Sequence, residues 1–233
     1  MISISVVIPT LNEAQRLPDL LQKLKSQTHA PLEIIVCDGD SADQTAQIAR
    51  DAGVTLLATE RGVSLQRNAG AHASSGELLV FLDADDAPLP HFLWQVAQSY
   101  RKLPFVIACP WFVALDGGRA GKLCYLLFNL GFFLGQSTLR MGSGVCLICP
   151  RDKFLACGGF DEALHLGEDI HLIRKLCPRF GLHRHLLIPL GTSARRFERV
   201  GALKLMGFYA RITPLLVLGL WRRLQNEKYD SLS

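Results

Sequence analysis

The chain lacks both common phosphate loops. No GxGxxG follows the first strand-like run, and no GxxxxGK[ST] occurs anywhere. A nucleotide bound here needs another device to hold it. Long apolar runs are missing too. The two best candidates, LCYLLFNLGFFLG (123–135) and ITPLLVLGLW (212–221), fall short of the roughly 20 residues that a membrane-spanning helix requires. Each is expected to be either a packed helix or one lying in a membrane interface. Strong charge of one sign is also absent. A formal net charge of +4 on 233 residues makes no global field for nucleic acid, so no nucleic-acid partner is expected. The opening MISISVVIPT has no basic n-region and no cleavage site, which argues against a secretory signal. Zinc-finger cysteine pairing is missing as well. The seven cysteines are scattered through apolar contexts, and the one CxxC, Cys146 and Cys149, has no second pair or histidine at finger spacing. Reduced, buried thiols in the cytoplasm are expected, with the inner face of the cell membrane as the alternative location.

What is present is an alternation of element types. ISISVVIP is a β-branched run. Leu17, Leu20, Leu21 and Leu24 then recur at helical spacing. LEIIVCD is a second apolar run. SADQTAQIARDAG reads as a helix with Ser41 as N-cap and Gly53 as its stop. VTLLAT, the small-residue helix GVSLQRNAGAHASSG, and ELLVFLD complete the series. Strand and helix alternating at this spacing predict βαβ units, hence an α/β fold with a mostly parallel sheet covered on both faces. Beyond residue 110 the alternation weakens. The expected organisation is one domain over 1–190, with a nucleotide-binding half (1–110) and an irregular acceptor half (111–190). A basic and apolar helical tail (191–233) follows.

Open parallel sheets bind ligands beyond the carboxyl ends of their strands. Three of those ends are polar or acidic here: PTLNEA, CDGDSAD and DADD, the last placing Asp83, Asp85 and Asp86 together. One such end is an ordinary solvated turn, since turns are rich in Asp. Three together argue for a site. Carboxylates repel phosphates, so with no phosphate loop a hard divalent cation, Mg²⁺ or Mn²⁺, is the expected bridge.

The order VVIPTLNEA, IIVCDGDSADQT, QRNAGAHASSGELLVFLDADD, GGFDEALHLGEDIHL resembles the family 2 glycosyltransferases of GT-A fold, over roughly residues 3–180. The tail TSARRFERVGAL is similar to that of a bacterial subgroup. The resemblance implies a Rossmann-like GT-A sheet and a hexosyltransferase-type enzyme. It also implies a UDP- or GDP-sugar donor, a divalent metal, and inversion at the anomeric carbon. It implies that Asp38 bonds the nucleobase or ribose, although Gly39 stands where family members often carry a second Asp. Asn12 and Glu13 would line the nucleotide pocket, Arg67 would steady the nucleotide or its diphosphate, and Thr10 and Ala84 belong to the same binding set. Asp83 and Asp85 form the Asp-x-Asp pair, with Asp83 towards ribose and metal, Asp85 as main metal ligand and Asp86 as support. Asp169 would be the general base, with Glu168 as runner-up.

Several features keep two readings. Glu168 and Asp169 also suit a helix N-terminus on charge grounds alone. Arg195 and Arg196 would contact the diphosphate, or form a solvated basic face or lipid-phosphate contact. Asp161 and Glu162 read as structural, Trp111 as core rather than sugar platform, and no histidine as a metal ligand. A lipid-linked acceptor and peripheral membrane contact are suggested by the 123–135 stretch. Two rival functions share these residues. One is a nucleotidyltransferase that makes sugar nucleotides, which would normally carry a glycine-rich loop after strand one. The other is a non-catalytic partner protein at a membrane surface.

Overall fold

The computed structural model describes residues 2–116, 118–136, 140, 142–194 and 200–220. The first half follows the hydrophobic pattern closely. It runs β1 (Ile4–Thr10), α1 (Leu17–Lys25), β2 (Glu33–Asp38), α2 (Thr45–Asp51), β3 (Thr55–Ala58), α3 (Val63–Ala73) and β4 (Leu78–Leu82). All four α1 leucines are buried, as their spacing predicts. β1 pairs in parallel with β2 and β4, and β2 with β3, so these strands end on one edge. Thr10 lies beside Asp38, and Asp38 beside Ala58.

The second half contains β5 (Ala87–Pro88), α4 (Phe92–Lys102), β6 (Ile107–Ala114), α5 (Gly118–Gly135), β7 (Cys146–Pro150), α6 (Arg151–Ala156), α7 (Glu168–Phe180), β8 (His183–Thr192) and α8 (Ala202–Val217). The eight strands form one sheet in the order β3-β2-β1-β4-β7-β6-β8-β5. β7 runs antiparallel to β4 and β6, while β6 and β8 are parallel. The acidic run leads directly into β5, which pairs with the end of β8 through Ala87 and Gly191. The sequence reads only a turn there. A two-residue strand is too short to show a period, so it was not legible.

Ser41 does not cap α2. The helix starts at Thr45 behind Gln44, without a side-chain cap. Ser41 instead donates its hydroxyl to Asp38 Oδ1 (2.5 Å) and accepts the Asn12 amide (2.9 Å). A loop with its own tertiary partners has overridden the local capping preference.

All seven cysteines are buried free thiols. Asn129 is fully buried in α5 and bonds both the amide (2.9 Å) and the carbonyl (2.7 Å) of Phe112, beside an irregularity in the β6–β8 register. α8 packs through Leu205 against Cys124 and Ala194, and through Phe208, Ile212 and Leu216 against Ile170. Among the described residues, no helix is long and apolar enough to cross a membrane.

Gly70 lets α3 lie flat on the sheet. A Cβ there would fall 2.4 Å from Val7 Cγ1 and 2.8 Å from Cys37 Sγ. Gly70→Ala is therefore expected to cost about 1–3 kcal/mol through overpacking. Urea unfolding should show a lower midpoint with an unchanged slope, and an unaltered midpoint would refute this close contact.

Candidate active site

The loops after β1 and β2 are laced together by short polar side chains. Thr10 donates to Asp38 Oδ1 (3.2 Å). Asn12 adopts a left-handed backbone (φ 56°), and its side-chain oxygen accepts the Ala42 amide (2.8 Å). The Glu13 amide donates to Thr45 Oγ1 (2.8 Å), and the Glu13 carboxylate pairs with Arg16 (2.7 Å). Beside this lacing lies a cleft of about 430 Å³, lined by Asp38, Asp40, Leu56, Ala58 and Thr59 among others. It opens beyond the carboxyl ends of β2 and β3, where an open α/β sheet places its ligand.

Three consecutive residues of α3 tie the rest of the site together. Gln66 donates to the carbonyls of Thr10 and Cys37, both at 2.7 Å, and so fixes the ends of β1 and β2. Asn68 grips the turn before α7. Its amide donates to Phe160 O (3.0 Å) and Glu162 Oε1 (2.8 Å), and its oxygen accepts the Phe160 amide (2.9 Å). Between them, Arg67 is only 2% exposed. It donates to Asp83 Oδ1 (3.0 Å), to the Gly144 carbonyl (2.7 Å) and, more distantly, to Glu168 Oε1 (3.5 Å). Its guanidinium also stands 5.5 Å from the Phe160 ring centre. Burial alone would weaken the charge on Arg67. The Asp83 and Glu168 carboxylates more than offset that, so it stays a cation.

The carboxylates are less comfortable. Burial pushes Asp83 up to about 6 despite Arg67, and the nearby Asp85 pushes it the same way. Asp86 is raised further, by burial and then by Asp83. One Asp86 oxygen accepts the Asp83 amide (2.9 Å), and that bond and the Thr192 hydroxyl work against the rise. At the start of α7, burial and then Asp169 raise Glu168 to about 7. Asp169 is also raised, chiefly by burial, while its bond from the Ile170 amide (2.7 Å) works the other way. Gly167 turns the chain into α7 at φ 78°, and Gly144 leaves room for Asp169, whose Oδ2 would lie 3.1 Å from a Cβ at 144. Two acidic clusters thus face one buried cation.

The sequence signature of glycosyl transferase family 2 covers residues 5–152. The chain belongs to this family. Among curated relatives, 4,4'-diaponeurosporenoate glycosyltransferase of Staphylococcus haemolyticus is 40% identical over 192 residues, covering 73% of this chain and 50% of that protein. Glycosyltransferase AglE of Haloferax volcanii is 28% identical over 183 residues, covering 74% and 60%. The chain thus spans about half the length of these curated relatives. The fold is that of GT-A enzymes. S. aureus TarS superposes with a TM-score of 0.69 at 17% identity, covering 98% of this chain and 44% of that one. Glucosyl-3-phosphoglycerate synthase of Mycobacterium tuberculosis, in a complex with Mn²⁺, UDP-glucose and phosphoglyceric acid, gives 0.63 at 24% identity, covering 94% and 80%.

Within this family 2 fold, Arg67, Asp83, Glu168 and Asp169 converge, and Ala84 is buried between Asp83 and Asp85. Thr10 and Asp38 sit together at the cleft edge, whereas the side chains of Asn12 and Glu13 are engaged in the loop scaffold. Arg195 and Arg196 lie outside the described residues. Trp111 is half-buried, 5.6 Å from the His185 ring. Burial lowers both His183 and His185 to about 4. Sequence reasoning gave no role to Gln66, Asn68 or Gly144. A signal existed for the first two: three successive polar residues on a helix otherwise rich in Ala and Gly cannot all face water, so some must have buried partners.

The Glu168 shift has a measurable sign. Its carboxyl titrates near 7 in the folded protein against an ordinary 4.5, so between those values the folded state holds the extra proton. This contribution is present below about pH 4.5 and is lost as pH rises through about 7. In metal-free protein, the urea midpoint of the wild type should fall more steeply than that of Glu168→Gln across this interval. Parallel profiles would show that Glu168 is not a strained carboxyl.

Proposed function

We propose that the protein transfers a sugar from a nucleotide-diphosphate sugar to an acceptor hydroxyl, inverting the anomeric centre in a single displacement. Family membership supports the reaction class. The observation that carries the site assignment is the Arg67 bridge between Asp83, at the end of a donor-side strand, and Glu168, at the start of α7. Single displacement needs the donor's diphosphate and the acceptor's base on opposite sides of the sugar, and Arg67 holds one carboxylate from each side in register.

The acidic turn suits a divalent cation. Burial and mutual repulsion raise Asp83 and Asp86, and a bound cation would relieve both. Among the described residues, no three His, Cys, Asp or Glu side chains form a complete ligand set. An ion held here would therefore need substrate phosphates and water to complete its shell, as Mg²⁺ commonly does. Asp85 and Asp83 would hold it, and when bound it would neutralise charge on the departing diphosphate. Asp38 and Thr10 would orient the nucleoside in the cleft. Asp169, with Glu168 beside it, would accept the proton of the attacking hydroxyl, and the raised carboxyl pKa values bring that cluster closer to the operating pH. The acceptor is proposed to be lipid-linked, because α5 offers a large apolar surface.

Isothermal titration and turnover assays test this together. UDP- or GDP-sugar should bind with Mn²⁺ or Mg²⁺ present and lose that metal dependence in Asp85→Asn. Asp169→Asn should keep donor binding and lose turnover by about 10²–10⁴-fold. Failure of every nucleotide diphosphate sugar to bind, or full turnover by Asp169→Asn, would overturn the assignment.

A further inference from the structure

We infer that the outer face of α5 is a docking surface for an anionic lipid bilayer. Arg119, Lys122 and then Leu123, Leu126, Leu127, Leu130, Phe133 and Leu134 recur at spacings of three and four, which places them on one side of the helix. Those six apolar side chains are 37–69% exposed. The opposite side is already engaged: Cys124, Tyr125, Phe128 and Asn129 pack on β6 and α8. The exposed stripe is therefore not needed to hold α5 in place. Isolated surface leucines need no explanation, but a continuous stripe of them does.

Charge identifies the occupant. Neither α5 nor its neighbour α8 contains a single Asp or Glu, although the chain has 21. They carry Arg119, Lys122, Lys204 and Arg211, all exposed. Apolar side chains flanked by cations, with no acid among them, match the headgroup and acyl boundary of an anionic membrane. A second copy of this face would bring like charges together, which disfavours self-association.

The placement also suits the chemistry. α5 begins directly after β6, at the edge where β8 ends. Tyr125 donates to Ser193 O (3.1 Å), and a Cβ at Gly121 would lie 3.0 Å from Ala194. The same edge carries the pairing of Ala87 with Gly191, one residue beyond the acidic turn. A smaller cleft of about 220 Å³, lined by Trp111, Tyr125 and Leu126 among others, opens beside the stripe. A bilayer under α5 would thus lie close to the rim of the proposed reaction centre. The inference takes its purpose from the lipid-linked acceptor proposed above, but physically it rests on the exposed face alone.

Sedimentation of the full chain with phosphatidylglycerol-containing vesicles, against pure phosphatidylcholine vesicles, tests it. The protein should pellet with the anionic vesicles, and added salt should release it. Leu127→Ser/Leu130→Ser should reduce the bound fraction by about tenfold or more through lost apolar contact. Arg119→Gln/Lys122→Gln, at two exposed positions, should reduce it several-fold. Protein left in the supernatant, equal binding to both vesicle types, or wild-type binding by both variants would overturn the inference. So would a dimer in light scattering that Leu127→Ser/Leu130→Ser dissolves, which would assign the face to a second copy. The assay needs neither donor nor turnover, so its failure is separate from failure of the transferase assignment.

Discussion

The buried guanidinium of Arg67 is the constraint on which the site is built. A charge this deep in a protein is costly unless its partners arrive together. Asp83 comes from the end of β4, the Gly144 carbonyl from the segment before β7, and Glu168 from the start of α7. Bonding the two terminal nitrogens of one side chain therefore fixes three parts of the chain relative to each other. Gln66 and Asn68, the immediate neighbours of Arg67, extend the same arrangement to the ends of β1 and β2 and to the turn before α7. One polar step of α3 thus aligns the ends of β1, β2 and β4 with the start of α7, and Gly70 brings that helix close enough to the sheet for it to do so.

The arrangement leaves negative charge in excess. Among the described residues, Asp83, Asp85 and Asp86 on one side and Glu168 and Asp169 on the other gather around Arg67, and several of them are pushed towards protonation. A fold optimised only for stability would not gather them. Strain of this kind belongs at functional sites, where a ligand relieves it. In the proposed reaction the divalent cation relieves the Asp83 side, and the acceptor proton is taken up on the Glu168 side. Apolar surface is in similar excess on α5, and an anionic membrane would relieve it in the same sense.

The parallel half of the sheet was legible because its signals are local and redundant. Leu17, Leu20, Leu21 and Leu24 report a helix face, and β-branched runs report buried strands on both sides of it. The place of the acidic turn at the end of β4 was legible because a topological rule put it on the ligand edge. What escaped depends on contacts distant in the chain. Ser41 reads as a helix cap, yet its partners are Asp38 and the Asn12 amide. β5 is two residues held by β8, more than a hundred positions downstream. Asn68 meets Glu162 across 94 positions, and no pattern in either segment announces the other. Arg67 was picked out by resemblance as a nucleotide contact, and the bonds of its two terminal nitrogens to Asp83, Gly144 and Glu168 were not legible.

The central claim is that sugar transfer occurs between the acidic turn and the start of α7, in the space that Arg67 holds in register. The most direct measurement is a crystal structure of the protein with Mn²⁺ and UDP, with the metal located by its anomalous scattering. The account predicts a single strong peak within about 2.0–2.6 Å of an Asp85 carboxylate oxygen and of the diphosphate. It further predicts the Glu168 and Asp169 carboxylates facing that diphosphate across an empty sugar site. A metal and nucleotide bound away from Asp83 and Asp85, or a diphosphate lying against Glu168 and Asp169 themselves, would contradict it.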